Sequence, residues 1–324
     1  MAEKCLIIGL GKIGLSYDIM LNKKDFVLSH SRAFSLNKEF ELVGGVDSSK
    51  ERQELFFKTY NKPAFSCIRL AMEVVRPTVI VIATPTNNHL KSIIEISNYK
   101  GIKVIMCEKP LEYSFEAAKS IVKVCKSNGI KLFVNYIRRV DPGVIKIKEF
   151  VDKNIIKEPI KGVVWYSKGL LNNGSHFFNL LEFWLGNCKS GSVLANQVSY
   201  LKDDIEPDLE VVYEKGKIIF LAAWEEAFSH YSIELICSTG RLRYDNGGEE
   251  ITWQASKKDG IFSDYVFLNP DQILIDNDMN RYQLNVVNQL AKELKGIKTS
   301  LCTGDQALRT LSSIENIINS DKYD

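Results

Sequence analysis

Six residues near the start of the chain, Gly9-Leu10-Gly11-Lys12-Ile13-Gly14, have the spacing G-x-G-x-x-G. The chemistry such a run performs is the holding of a pyrophosphate. The first glycine permits a tight turn, the second lets backbone approach the phosphates, and the third lets helix and strand pack closely. Backbone N–H groups of the helix that should come next, those of Lys12 and Ile13 among them, then face the anion with the helix dipole behind them. Alone the spacing says little. Here an apolar strand candidate precedes it and a helical pattern succeeds it, which is the context the chemistry requires.

The acidic partner of such a loop ends the second strand and binds the adenosine ribose hydroxyls. Asp47, with Ser48 after it, stands there, although it comes 33 residues beyond Gly14 where about 20 is usual. The surplus, Leu15–Arg32, reads as a polar insertion or an extended first crossover. Asp47 also suits the N-cap of a helix starting near Lys50. As a ribose ligand it favours NAD(H), since a 2′-phosphate would meet a like charge. Ser48, Lys50 and Arg52 leave room for NADP(H).

Two further loops carry chemistry. Ala83-Thr84-Pro85-Thr86-Asn87-Asn88-His89 comes at the end of the strand candidate Val79–Ala83 and Cys107-Glu108-Lys109-Pro110 at the end of the candidate Val104–Cys107. Open α/β sheets bind their ligands at these carboxyl ends. A lysine between Glu and Pro can lose solvation, drop its pKa, and help deprotonate a substrate hydroxyl. On spacing alone, a solvated loop lysine remains the better reading of Lys109.

The elements that must position these loops alternate. Cys5–Gly9, Phe40–Val46, Val79–Ala83, Val104–Cys107 and Leu132–Val134 are apolar on both faces, as expected of parallel strands covered on both sides. Helical patterns lie between them, the clearest running from an N-cap at Ser114 to a stop at Gly129. This predicts a doubly wound parallel sheet in residues 1–135. After Tyr136 the rhythm changes. Pro142–Asn154 and Gly174–Leu185 read as helices. Ser192–Leu201, Leu209–Tyr213, Ile218–Trp224, Tyr231–Cys237 and Ile251–Gln254 read as strands, and Arg281–Lys295 and Gly304–Asn319 as closing helices. The last begins with the capping box Thr303-x-x-Gln306. Residues 136–324 are therefore expected to form an α+β domain with a large, mostly antiparallel open sheet, its C-terminal helix free to pack back near the domain junction, and the fold class is α/β.

Composition narrows the function. The 324 residues are 45% hydrophobic with a formal net charge of +2, enough apolar material for a core and a poor match for a nucleic-acid binder. No stretch approaches the roughly 18 apolar residues of a membrane span, and the N-terminus lacks a signal-peptide core. Seven cysteines without a Cys-x-x-Cys pair, several in apolar surroundings (Cys5, Cys107, Cys237), and four isolated histidines predict a reduced, metal-free, cytoplasmic chain.

Taken in order, Gly9–Gly14, Asp47, Ala83-Thr84-Pro85 with His89, and Glu108-Lys109-Pro110 resemble the glucose-fructose oxidoreductase / inositol dehydrogenase / MocA family. Asn135 to Pro142, Gly174-Ser175-His176 and Cys302 to Arg309 are similar to it as well. The resemblance implies an N-terminal Rossmann domain, a C-terminal sheet through which homodimers or homotetramers form, and hydride transfer between nicotinamide and a sugar or polyol carbon. It implies that Gly9, Gly11, Lys12, Ile13, Gly14, Asp47, Ser48, Ala83, Thr84, Pro85, Asn88, His89, Glu108, Lys109 and Asn135 hold the cofactor. Lys109 would touch substrate hydroxyl and nicotinamide ribose, and His176 would be the general acid/base. A helix-start histidine packed among Phe177, Phe178 and Leu180 is the plainer reading of His176. Tyr136, Arg139, Asn172 and His176 are the substrate-binding candidates, although Arg138 and Arg139 read at least as well as solvated surface arginines.

One departure stands out. The family often has D-x-G-x-H around this histidine, whereas the first position here is Asn172, and Asn179 also stands where relatives often have Asp. Asparagine can orient a hydroxyl or the imidazole but cannot ionise. A site with less negative charge suits an anionic or nucleotide-linked sugar, as in surface-glycan biosynthesis, which the stretch Tyr166–His176 also hints at. Two other activities fit the resemblance: NAD-assisted glycoside cleavage or epimerisation without net redox, and a non-catalytic dinucleotide sensor. Trp165, Trp224, Tyr231 and His230 are pocket candidates on the second sheet that read equally as core.

Overall fold

Segments apolar on both faces bury themselves by pairing side by side under helices, and the first sheet is built of them. In the computed structural model, which describes residues 2–195, 204–262 and 264–320, these are β1 (Glu3–Ile8), β2 (Phe40–Val46), β3 (Ala64–Phe65), β4 (Val79–Ile82), β5 (Val104–Cys107) and β6 (Lys131–Val134). They lie parallel in the order β6-β5-β4-β1-β2-β3, and Cys302–Thr303 adds an antiparallel edge beside β6. The crossovers carry α1 (His30–Leu36), α2 (Lys50–Tyr60), α3 (Ile68–Val75), α4 (His89–Ser97) and α5 (Phe115–Ser127). Ser114 caps α5 by accepting the Ala117 N–H at 3.2 Å.

The helix expected directly after the glycine motif is replaced by something shorter. Lys12–Ser16 is a single π-helical turn, and the first crossover helix proper is α1. The segment between is solvated over Tyr17, Met20 and residues 21–25 but anchored at Asp18, Val27 and Ser29, which are buried, as are Leu15 before it and His30, Ser31 and Arg32 after it. Asp18 makes that burial tolerable. Its Oδ2 accepts the N–H groups of Leu28 and Ser29 at 2.6 and 2.8 Å, and its Oδ1 accepts the Ser29 hydroxyl at 2.7 Å. Arg32 Nε lies 3.5 Å from the same carboxylate, and its Nη1 donates to the carbonyls of Leu21 and Phe26. Buried charge that is paired and hydrogen-bonded persists; unpaired it would not.

The chain divides into two units, one of residues 1–140 and 280–309, the other of 141–279 and 310–324. A single boundary after residue 135 does not describe this division. The reason is the helix Tyr282–Leu294, whose Val286, Val287 and Leu290 are buried in one cluster with Cys5, Ile7 and Phe34.

The second unit begins with α6 (Pro142–Asp152), whose Asp141 cap accepts the Gly143 and Val144 N–H groups, and continues through α7 (Ser175–Leu185). Its sheet contains β7 (Ile160–Tyr166), β8 (Cys188–Ala195), β9 (Asp208–Tyr213), β10 (Gly216–Ala222), β11 (Ser232–Cys237), β12 (Gly240–Asp245), β13 (Glu250–Lys258), β14 (Val266–Leu268) and β15 (Ile273–Leu274). The order is β14-β13-β12-β11-β7-β10-β9-β8, with β15 on β13. β7 and β10 pair parallel; the neighbouring pairs are antiparallel. Residues 196–201 of the expected strand Ser192–Leu201 lie outside the described residues. One face, with Val164, Tyr166, Leu209 and Phe220, is buried in one cluster with Phe178, Leu181 and Trp184 of α7. The opposite face carries Trp165, 39% exposed, and Ile236, 53% exposed. Trp224 just beyond β10 is 73% exposed, so these tryptophans are not core residues.

Among the described residues no helix is long and apolar enough to cross a membrane, and no group of three His, Cys, Asp or Glu side chains could hold a metal ion. Cys5 and Cys107 are fully buried, which pushes their thiols well up. Cys237 is only partly buried, because β11 ends there in a turn.

Candidate active site

At the carboxyl ends of β1, β2 and β4 the first unit opens a cleft of about 640 Å³ lined by Gly9, Gly11, Asp47, Ser48, Thr84 and Asn88. Each glycine of the motif has its own reason to be glycine. Gly9 has φ +96°, and a Cβ there would lie 2.5 Å from the Ala83 backbone. A Cβ on Gly14 would lie 1.9 Å from the Gly9 carbonyl oxygen, whereas at Gly11 it would meet open space. Gly9 and Gly14 thus serve the fold, and Gly11 leaves room above the backbone for a ligand.

Asp47 closes one wall. Its Oδ2 accepts the Leu10 N–H at 2.8 Å and its Oδ1 the Ser49 N–H at 2.9 Å. It is not the cap of α2: Ser49 holds that position, accepting from Arg52 N. Arg52 Nη1 stands 3.4 Å from Asp47 with its side chain 54% exposed. Opposite, the Thr84 hydroxyl is buried without a hydrogen-bond partner. An orphaned hydroxyl in a cleft with open space over Gly11 fits a polar ligand such as a dinucleotide. Lys12 lies exposed in the π turn beside Ile13, Ala83 ends the strand side of the cleft, and Pro85 is among its lining residues.

His89 faces away from this cleft. Its Nε2 lies 3.0 Å from the Thr84 carbonyl and its Nδ1 3.1 Å from that of Leu111, so it ties the Ala83-Thr84-Pro85 loop to the loop after β5. Both oxygens only accept, so a neutral ring donates to one of these carbonyls and lies against the other.

Glu108 and Lys109 come after β5, half-buried, and Asn135 after β6. Asn135 Nδ2 donates to Glu108 Oε1 at 2.7 Å and to Gln283 Oε1 at 3.3 Å. His30 Nε2 lies 2.7 Å from the same Glu108 oxygen. Burial alone would raise the Glu108 carboxyl, but the His30 and Asn135 hydrogen bonds and nearby Lys109 outweigh it and hold it below the ordinary glutamate range. His30 and Gln283 were not among the residues anticipated; the first sits in a stretch that reads as polar loop and the second in a closing helix. Tyr136 is buried. Arg139 is neither a solvated arginine nor turned to this cleft: it is buried and donates Nε–H to the Ser300 carbonyl at 2.9 Å. The edge strand Cys302–Thr303 pairing with β6 brings that carbonyl to it.

In the second unit, Leu170–Gly174 forms a π turn that runs into α7, so helical geometry begins before His176. Residues 204–206 hold its start. Glu206 Oε1 accepts Gly169 N–H at 2.7 Å, Ile205 O accepts Leu170 N–H at 2.9 Å, and the two oxygens of Asp204 accept Leu171 and Asn172 N–H at 2.8 and 2.7 Å. Four orphan donors of a helix start are thereby satisfied. Asn172 Nδ2 donates to the Lys168 carbonyl at 3.1 Å, and Asn173 Nδ2 to the Tyr231 hydroxyl at 3.2 Å. His176 is 6% exposed, with Phe177 stacked on Tyr231. Asn179 is turned elsewhere: its amide donates to Thr310 Oγ1 at 3.0 Å, and Thr310 in turn donates to Glu182. Its difference from aspartate therefore bears on helix packing rather than on the charge around His176.

With this geometry in view, comparison with known proteins is informative. Residues 3–136 match the family described as "Oxidoreductase family, NAD-binding Rossmann fold". The chain is 24% identical over 225 residues to "Oxidoreductase P35" of Formosa agariphila, a match covering 60% of this chain and 66% of that protein. It is 28% identical over 131 residues to "Inositol 2-dehydrogenase" of Rhizobium meliloti, covering 40% of this chain and 38% of that one. The matched stretches thus span less than two-thirds of these relatives' lengths. The crystal structure of the WlbA dehydrogenase from Bordetella pertussis, in complex with NADH and UDP-GlcNAcA, superposes with a TM-score of 0.73 at 17% identity, covering 99% of this chain and 97% of that one. At that identity the likeness establishes the fold.

Proposed function

Because the chain belongs, through residues 3–136, to the glucose-fructose oxidoreductase / inositol dehydrogenase / MocA family of NAD-binding oxidoreductases, we propose that it moves hydride between a nicotinamide dinucleotide and a hydroxyl- or keto-carbon of a sugar derivative. The observation that carries this reading is the cleft at the ends of β1, β2 and β4, with open space over Gly11 and an unpartnered Thr84 hydroxyl in its wall. Gly9 to Gly14, Asp47, Ser48, Thr84, Pro85 and Asn88 would hold the dinucleotide, with Glu108 and Lys109 beyond them. Asp47 favours NAD(H). Arg52, mostly exposed beside it, is the residue that would meet a 2′-phosphate.

When bound, the nicotinamide supplies the hydride acceptor or donor. The chain's own work is with the proton. Lys109 holds the substrate hydroxyl, and His176 takes or returns its proton, a task suited to an imidazole near neutrality. Asn172, anchored through its N–H to Asp204, orients the same hydroxyl without ionising. A nucleotide-linked or carboxylated sugar is the substrate class we favour, the WlbA structure with UDP-GlcNAcA being the fold neighbour that suggests it. Exposed Trp165, Trp224, Phe228 and Ile236 on the second unit suit a homodimer or homotetramer formed through that sheet.

The test is a panel of sugars and nucleotide sugars, monitored by the nicotinamide absorbance with NAD(H) and NADP(H) in parallel. A substrate-dependent change in that band supports the reading. Product formed with no net change points to transient, redox-neutral use of the cofactor, and absence of dinucleotide binding defeats both.

A further inference from the structure

His30 and Asn135 meet at the Glu108 carboxylate, and a further residue, Gln283, joins them through those two side chains. Glu108 and Asn135 arrive from the ends of neighbouring strands, His30 from the start of α1, and Gln283 from the start of the helix Tyr282–Leu294. His30 and Gln283 are fully buried, and Asn135 is 2% exposed. A buried histidine–carboxylate contact is expensive, and apolar side chains of similar volume would stabilise a core as well or better. Packing alone does not account for it.

The hydrogen-bond arithmetic assigns direction. Glu108 Oε1 already accepts from Asn135 Nδ2, and a carboxylate has only lone pairs to offer. The 2.7 Å contact with His30 is therefore a donation from Nε2–H. His30 Nδ1 is left buried with no hydrogen-bond partner, and so is Asn135 Oδ1. The Nε2 edge of the ring faces the carboxylate, with the amide nitrogens of Gln283 and Asn135 farther off at 3.4 and 3.5 Å, and the Nδ1 edge meets no hydrogen-bond partner.

We propose that His30 is a positioning residue: by donating Nε2–H to Glu108 it fixes the carboxylate next to Lys109, and so sets the dinucleotide-contacting end of the loop after β5. This rests on the dinucleotide reading above and extends it to the first crossover, whose buried turn around Asp18 and Arg32 delivers His30 to the sheet. Glu108 is in turn influenced by Lys109, so loss of the donor at His30 reaches the lysine through one carboxylate.

The test uses the full-length protein with NADH as probe. Only four histidines are present, so nitrogen-15 labelling gives a readable tautomer spectrum, with His30 assigned by its disappearance in His30→Gln. The expected result is an Nε2–H tautomer at His30 whose signals move in Glu108→Gln. His30→Leu should weaken NADH binding by about tenfold or more, while His30→Gln, which can still donate, stays within about threefold. NADH affinity unchanged in His30→Leu overturns this inference and leaves the dinucleotide reading standing. Absence of NADH binding by the wild type overturns both. Should His30→Leu not fold, the wild-type spectrum decides, an Nδ1–H tautomer being fatal to the proposal.

Discussion

The carboxylate of Asp47 accepts the backbone N–H of Leu10 at 2.8 Å, so the residue that ends β2 holds the loop that leaves β1. A group expected to meet a ribose is thus also a strut of the glycine loop. Asp47→Ala removes both functions and leaves Arg52 without its carboxylate. NADH affinity should fall by about tenfold, the worth of a charged hydrogen bond. The ratio of NADPH to NADH affinity should rise. Parallel fluorescence titrations check it, and an unmoved ratio removes Asp47 from cofactor discrimination.

Gly11 and Gly14 separate binding from folding. A methyl at Gly14 collides with the Gly9 carbonyl, so Gly14→Ala should cost about 1–3 kcal/mol or prevent folding. A methyl at Gly11 meets nothing within the protein, and its φ of −74° is open to any residue. Gly11→Ala should therefore change stability by less than about 0.5 kcal/mol while weakening dinucleotide binding. Thermal melts with and without NADH distinguish the two.

For the proton-handling step, His176→Ala should lower kcat by about a hundredfold or more once a substrate is in hand, with NADH affinity within about twofold of wild type. Turnover at the wild-type rate would return His176 to the status of a packed helix-start residue.

Asp204 gives a pH dependence of known sign. Burial raises its carboxyl above the ordinary aspartate value of 3.8, the like charge of Glu206 adds to this, and the Leu171 and Asn172 N–H groups oppose it. The folded state then holds this proton to higher pH than the unfolded state does. Stability contributed by the group is lost as pH rises from about 3.8 through the raised value. The stability of wild type relative to Asp204→Asn should accordingly fall as pH rises above about 4. Chemical denaturation of both proteins in a series of acidic to neutral buffers is the measurement.

Elements with one strong reason to exist were legible in the sequence. β2 is apolar along almost its whole length, Ser114 caps α5, and Thr303 and Gln306 exchange the two hydrogen bonds of a capping box, at 3.0 and 3.3 Å. β7 was not legible, because its core-facing row runs Ile160, Gly162, Val164, Tyr166, and the glycine interrupts the period. That glycine is forced by packing: a Cβ there would lie 2.5 Å from Leu235. β12 hides in the same way behind its outward Arg241 and Arg243. The candidate cofactor loops stand out in the sequence because the chemistry proposed for them is local. The residues that support them do not, since His30, Gln283, Asp204 and Glu206 owe their roles to partners far along the chain.

The helix Tyr282–Leu294 has a consequence for how the protein is made. Its Val286, Val287 and Leu290 complete a core whose many members from the first 140 residues, Cys5, Ile7 and Phe34 among them, leave the ribosome first. The core of the first unit is therefore complete only once residues 280–309 have been added to the chain. Residues 1–140 by themselves would lack the apolar cover that residues 280–309 supply. A nascent chain halted after residue 140 should for that reason be a client for chaperones, and a fragment cut there a poor substitute for the domain.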